Sequence, residues 1–294
     1  MCGMIESKYI EGLIKSGKLG LSINRQIEFV AGRSLFSTNS FTMISGPCSV
    51  VDEGALEIQA RKLKSMGIMA LRAGAYKPCT YPVTKAHHSG WKEGLQKEGI
   101  EIIGRVGKQL GMTTVTEIID PRDLEHAVDH IDMVQVGARN AQNYPLLDEL
   151  GRSGVPVLLK RGTWMTIDEV LGAVERILYH GNSKVAICLR GVVGAPQYRH
   201  VWPEIRWAPD LMMIPAIKSL NSRIPVIYDP SHACGKRDFV GPMAIAAIAA
   251  GADGLIIESH LDPANSISDP DQAVTLETLG KILEKARAAY AIRW

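Results

Sequence analysis

Eight short apolar runs, separated by stretches of helical period, constrain this chain more than any other feature. They are Met43 to Val50, Met69 to Ala75, Met112 to Ile118, Met133 to Ala138, Val155 to Arg161, Val185 to Gly191, Pro225 to His232 and Gly254 to His260. Between them lie amphipathic segments such as Ala55 to Met66, Pro121 to Ile131 and Ile167 to Tyr179, the last opened by Thr166 with Glu169 at capping-box spacing. Strand alternating with helix in this way builds a parallel sheet. Eight such units make a closed (β/α)8 TIM barrel of the α/β class, predicted over residues 43–294 with a short N-terminal extension over residues 1–42. A doubly wound open sheet competes, but it normally has fewer strands, and no G-x-G-x-x-G follows the first run. The extension holds a helix candidate near Tyr9 to Lys15 and is too short for a core of its own; it is read as a hairpin or helix capping the barrel's bottom.

Charge and hydropathy remove several classes of partner. Lys and Arg number 33 against 31 Asp and Glu, a net charge of +2, so no global basic field exists to hold nucleic acid or an anionic membrane. The apolar stretch from Val240 to Ala250 is broken by Gly241 and Pro242 and falls far short of the ~18 residues a membrane span needs. The N-terminus has no basic patch, apolar core and cleavage site in sequence. A cytoplasmic protein with no nucleic-acid and no membrane partner is expected. The five cysteines form no C-x-x-C pair, which predicts reduced thiols, one or more of them available to a metal.

If the barrel closes, the residues at the ends of the runs converge on one mouth, and they fall into two chemical sets. Arg72, Lys77, Arg139, Lys160 and Arg190 are too many cations to leave unpaired at one mouth of a near-neutral protein. They ask for a small phosphorylated carboxylic acid, which matches guanidinium forks and lysine point charges together. Cys48, His232, Glu258 and the later Asp269 offer one soft, one borderline and two hard donors, a mixture suited to Mn, Fe, Co or Zn. Their spacing matches no local metal motif, so a buried thiol and a packed histidine remain open alternatives. Two long gaps, roughly Tyr76 to Ser89 and Val192 to Pro209, predict enlarged loops over that mouth.

Six ordered motifs carry a family resemblance: Ser45-Gly46-Pro47-Cys48-Ser49, Leu71-Arg72-Ala73-Gly74-Ala75-Tyr76-Lys77-Pro78, Gly137-Ala138-Arg139-Asn140, Leu159-Lys160-Arg161-Gly162, Asp229-Pro230-Ser231-His232-Ala233, and Ile257-Glu258-Ser259-His260 followed by Ser268-Asp269. Together they resemble the 3-deoxy-D-arabino-heptulosonate 7-phosphate (DAHP) synthases, in the branch nearest the 3-deoxy-octulosonate 8-phosphate synthases. The resemblance implies a metal-dependent barrel that condenses phosphoenolpyruvate with an aldose phosphate at the shikimate pathway, assembled as a homodimer or homotetramer. It implies Cys48, His232, Glu258 and Asp269 as metal ligands, and Arg72, Lys77, Ala138 through its backbone, Arg139, Lys160 and Arg190 around phosphoenolpyruvate. Glu117 is a candidate to orient the attacking water, and Lys77 to move a proton. No appended regulatory module is expected.

The pattern breaks where the acceptor sugar would bind. Family members of this branch usually read K-P-R-T after the second strand, with the Arg and Thr on the acceptor phosphate; here the segment is Lys77-Pro78-Cys79-Thr80. After the sixth strand, Arg190-Gly191-Val192-Val193-Gly194-Ala195-Pro196 leads through an insertion to Arg206-Trp207-Ala208-Pro209-Asp210 in place of the family's R-G-I-R-T-F-E and R-N-T-L-D. Cys79, Thr80, Arg206 and Asp229 are the acceptor candidates, with Arg199, Lys236 or Arg237 as replacements for the lost arginine. A second reading stays open: an aldolase specialised for a different aldehyde, phosphorylated or not, lined by Tyr81, His87, His88, Trp164, Trp202 and Trp207. A non-catalytic phosphoenolpyruvate sensor is a third.

Overall fold

A computed structural model describes residues 29–31, 34–36, 40–78, 93–194, 205 and 207–293. An antiparallel hairpin, β1 (Phe29–Ala31) with β2 (Ser34–Phe36), precedes the barrel. The barrel strands are β3 (Thr42–Gly46), β4 (Ala70–Arg72), β5 (Thr113–Ile118), β6 (Met133–Val136), β7 (Val157–Lys160), β8 (Val185–Leu189), β9 (Val226–Tyr228) and β10 (Gly254–His260). Each pairs in parallel with the next, and β10 pairs with both β9 and β3, so the sheet closes on itself at a seam between its first and last strands. Beyond that seam Ser259 and His260 pair with a short β11 (Val274–Thr275). The closed barrel predicted from the eight runs is the fold.

Period-two alternation decides what fills the interior. Ile44, Ala70, Val115, Met133, Leu158, Ala186, Ile227 and Ile256, one from each strand, together with Cys188 above Ala186, form an apolar cluster of their own, separate from the larger core. They plug the lumen. The alternate residues, such as Leu71, Val134, Leu159 and Ile257, join that larger core against the helices. These helices are α1 (Glu53–Ser65), α2 (Gln96–Leu110), α3 (Leu124–Val128), α4 (Tyr144–Ser153), α5 (Ile167–Tyr179), α6 (Met213–Leu220), α7 (Pro230–Cys234), α8 (Arg237–Ala249) and α9 (Leu276–Ala291). None among the described residues is long and apolar enough to cross a membrane.

Local chemistry sets the element ends. Thr166 caps α5 with the full reciprocal box: its side chain accepts from Glu169 N–H and Glu169 accepts from Thr166 N–H. Thr166→Ala is expected to cost about 1 kcal/mol, read as a lowered Tm with activity unchanged. Most expected boundaries move by a few residues: the first run is strand only over Thr42–Gly46, which leaves Cys48 beyond the strand end, and three further shifts have a local cause. The run Met69 to Ala75 is strand only to Arg72, because Ala75 N–H turns to the Thr116 hydroxyl. The helix expected over Pro121 to Ile131 is one 3-10 turn, Pro121–Asp123, then α3, since His130 and Ile131 N–H both fold back on Ala127 O. The seventh run stops at Tyr228, where Asp229 accepts from His232 N–H and Pro230 opens α7. His232 therefore sits on a one-turn helix rather than at a strand end.

Candidate active site

Two residues after each plug residue the lumen turns polar. That layer holds Gly46, Arg72, Glu117, Gln135, Lys160, Cys188, Asp229 and Glu258, facing the C-terminal mouth where barrel enzymes place their chemistry. Ion pairs satisfy the charges that burial would otherwise penalise. Arg72 Nη1 donates to Glu258 Oε1 at 2.8 Å, and Lys160 Nζ to Asp229 Oδ2 at 2.5 Å, with all four side chains at most 4% exposed. Arg72 keeps its Nε buried and without a protein partner. That N–H is free for an anion.

Cys48 Sγ, a Glu258 oxygen and an Asp269 oxygen all lie within 4.8 Å of one another. Cys48 donates to Asp269 Oδ2 at 2.9 Å and accepts from Lys77 Nζ at 2.6 Å. Asp269 sits in the left-handed region at φ +50°, which Asp tolerates better than most residues. His232 stands beside the cluster, Nε2 3.5 Å from Glu258 Oε1 and Nδ1 2.8 Å from Asp229 Oδ2, so each ring nitrogen has a carboxylate close by. Gln272 Nε2 holds the other Glu258 oxygen at 2.6 Å. Burial, then the Glu258 carboxylate, push the Cys48 thiol up to about 12. Burial opposes charge on Glu258 and Asp229 as well, but His232 with Arg72 in one case and with Lys160 in the other outweighs it, and both carboxyls lie below their usual range. Burial pulls the His232 pKa down, against the Asp229 and Glu258 carboxylates that pull it up. A thiol and two carboxyl groups meeting at one point, with an imidazole beside them, fit a borderline divalent ion.

The rest of the cationic set rings the mouth. Arg139, exposed, donates to Pro78 O at 3.1 Å, and Ala138 lies beside it in the turn after β6. Arg190 donates to His232 O and lies over the Trp207 ring, 5.5 Å to its centroid. Val192 and Ala208 exchange backbone hydrogen bonds of 2.9 and 3.0 Å, pinning together the two ends of the loop after β8. Glu117 extends from β5, with Oε2 accepting from Gln135 Nε2 at 2.9 Å.

Some expectations change. Asp229, an acceptor candidate, has Oδ1 on His232 N–H and Oδ2 on Lys160, so it serves the site's frame. Arg237 does not replace the lost arginine: its guanidinium holds the carbonyls of Pro270 and Ala273, beside Asp269. Trp164 is half exposed and donates to Gln142. Cys79, Thr80, Tyr81, His87, His88, Arg199, Trp202 and Arg206 lie outside the described residues. Gln135 and Gln272 were missed, since a glutamine in an apolar run or in a polar loop announces nothing until the group it faces is known.

Fold and site together define a (β/α)8-barrel enzyme working at its C-terminal mouth. The sequence model of the DAHP synthetase I family matches residues 29–291, and the chain belongs to that family. Phospho-2-dehydro-3-deoxyheptonate aldolase of Thermotoga maritima is 38% identical over 247 residues, 84% of this chain and 69% of that protein. The 2-dehydro-3-deoxyphosphooctonate aldolase of Geobacter sulfurreducens is 28% identical over 266 residues, 85% of this chain and 92% of that one. The crystal structure of the Thermotoga maritima DAHP synthase gives a TM-score of 0.77 at 35% identity, covering 87% of this chain and 70% of that chain. A truncated form of the same enzyme gives 0.76, with 87% and 89% covered.

Proposed function

We propose that this chain condenses phosphoenolpyruvate with an aldose phosphate, erythrose 4-phosphate, to give a 3-deoxy-2-keto sugar acid phosphate and inorganic phosphate. One observation carries the reading: Arg72, with a buried N–H left over for an anion, is bonded directly to a carboxylate of the Cys48, Glu258 and Asp269 cluster. Donor anion and metal-bound acceptor would therefore lie side by side. Cys48, His232, Glu258 and Asp269 would hold Mn, Fe, Co or Zn, which supplies a Lewis acid for the aldehyde oxygen.

The chain's own residues do the remaining work. Arg72, Lys160, Arg139 and Arg190 fix the phosphate and carboxylate of phosphoenolpyruvate, with Ala138 contributing its backbone N–H. Carbon C3 forms the new bond to the aldehyde carbon, and the carbonyl oxygen takes a proton, for which Lys77 is the placed donor. Positive charge develops at C2 and water adds there, giving its proton to the Glu117 carboxylate. The bond from C2 to the oxygen it shares with phosphorus then breaks, the C2 hydroxyl becomes the keto oxygen as its proton passes to the departing phosphate, and inorganic phosphate leaves. We assign residues 43–294 to the catalytic barrel, and take a homodimer or homotetramer in the cytoplasm as its working state.

A second reading is favoured by one feature: neutral Cys79 stands where the family's arginine grips the acceptor phosphate. Loss of such a charge-assisted bond costs roughly 1.5–3 kcal/mol. An acceptor screen with metal-loaded protein decides. Phosphate release with erythrose 4-phosphate, abolished by chelation and restored by divalent metal, is the expected result. Turnover only with arabinose 5-phosphate or an unphosphorylated aldehyde would transfer the assignment to the altered acceptor, and no release with any aldehyde would leave a sensor.

A further inference from the structure

Gln135 is fully buried, two residues after the plug residue Met133, and its side chain therefore stands in the polar layer next to Glu117. A carboxylate only accepts, so the amide nitrogen is the atom that faces it, at 2.9 Å. That orientation leaves the amide oxygen, Oε1, buried without a partner. A buried acceptor left unmade is costly, and few survive without a ligand to answer them. On its other side Glu117 lies against Gly137: a Cβ there would come within 1.9 Å of Oε1 and 2.7 Å of Oε2 of Glu117. The Gly137 backbone is at φ −66°, ψ 155°, which any residue adopts, so the glycine answers the carboxylate's need for space rather than a backbone need.

We propose that Gln135 is a further catalytic residue: its Oε1 and the Glu117 carboxylate together accept the two protons of the water that adds to C2. Water with both protons engaged presents its lone pair to the carbon, and the proton lost passes to Glu117 as the C–O bond forms. Gln135 Nε2 and Gly137 hold that carboxylate in place. The seat rests on the reading of Glu117 given above.

Gln135→Met keeps the side chain's length but removes both polar atoms, and Gly137→Ala displaces the Glu117 carboxylate while leaving both accepting groups chemically intact. Each is expected to lower kcat ~10- to 100-fold, with the Kd for phosphoenolpyruvate, followed by tryptophan fluorescence, and the acceptor KM within about twofold of wild type. Because both groups serve one water, Gln135→Met added to Glu117→Gln should cost little beyond Glu117→Gln alone. Independent, multiplicative losses, an unchanged kcat, or a rise confined to the acceptor KM would each overturn the seat. Wild-type protein is the control that separates the two readings. If it releases no phosphate from phosphoenolpyruvate and erythrose 4-phosphate, the proposed reaction falls and the seat with it; if it does and Gln135→Met matches it, the seat alone is wrong.

Discussion

Lys160→Met is expected to lose both stability and turnover, and the two losses can be separated. Lys160 is 3% exposed and its ammonium is bonded to Asp229, which is 1% exposed. Removing one partner of a buried pair strands the other, at a cost of about 3–5 kcal/mol. Asp229 is left with His232 and Arg190 as its neighbours, and the His232 ring is pulled toward a charged form that cannot ligate. Phosphate release should also fall ~10²- to 10³-fold, the scale for losing one preorganised group that meets charge in the transition state. Adding Asp229→Asn removes the stranded charge. The double variant should regain most of the Tm while staying inactive, which assigns the lysine to phosphoenolpyruvate as well as to the frame. A double variant that regains activity with its stability would remove Lys160 from the substrate site.

The second large effect belongs to Glu258. Glu258→Gln preserves shape and the contact from Gln272, but it takes away the charge that Arg72 and a metal ion would share. Metal affinity, measured by equilibrium dialysis and metal analysis, should drop ~10²-fold or more, because the ion loses an anionic donor and gains an uncompensated guanidinium neighbour. Gln272→Met, which leaves all four donors and only unfastens Glu258, should cost ~10- to 100-fold in the same measurement. Retention of full metal affinity by Glu258→Gln would remove it from the ligand set.

Much of this architecture could be read from spacing. Apolar runs with helical segments between them specify a parallel sheet, and eight of them specify closure; the cations and metal donors were legible as groups because strand ends share one face of a barrel. The strand end at His232 was misread because Tyr228-Asp229-Pro230-Ser231 continues the run by composition, whereas Asp229 and Pro230 stop it by capping. Gln135, Gln272 and Gly137 could not be read at all. Each acquires its role from a group on another part of the chain: Gln135 and Gly137 from Glu117, and Gln272 from Glu258. Asp269 was legible only as a later carboxylate suited to the donor set, since its approach to Cys48 depends on a loop that leaves β10 and returns to it at β11.

The seam between β3 and β10 has a consequence for the making of the protein. Cys48 follows the first barrel strand, and Asp269, 221 positions later, lies beyond the last. No partly synthesised chain can possess the donor cluster, however well its early βα units have formed. A metal held by this cluster would thus bind only after the final strand docks on the first, and an ion retained after dialysis would certify a finished barrel. Nascent, truncated or mispaired chains, lacking the site, should go unmetallated.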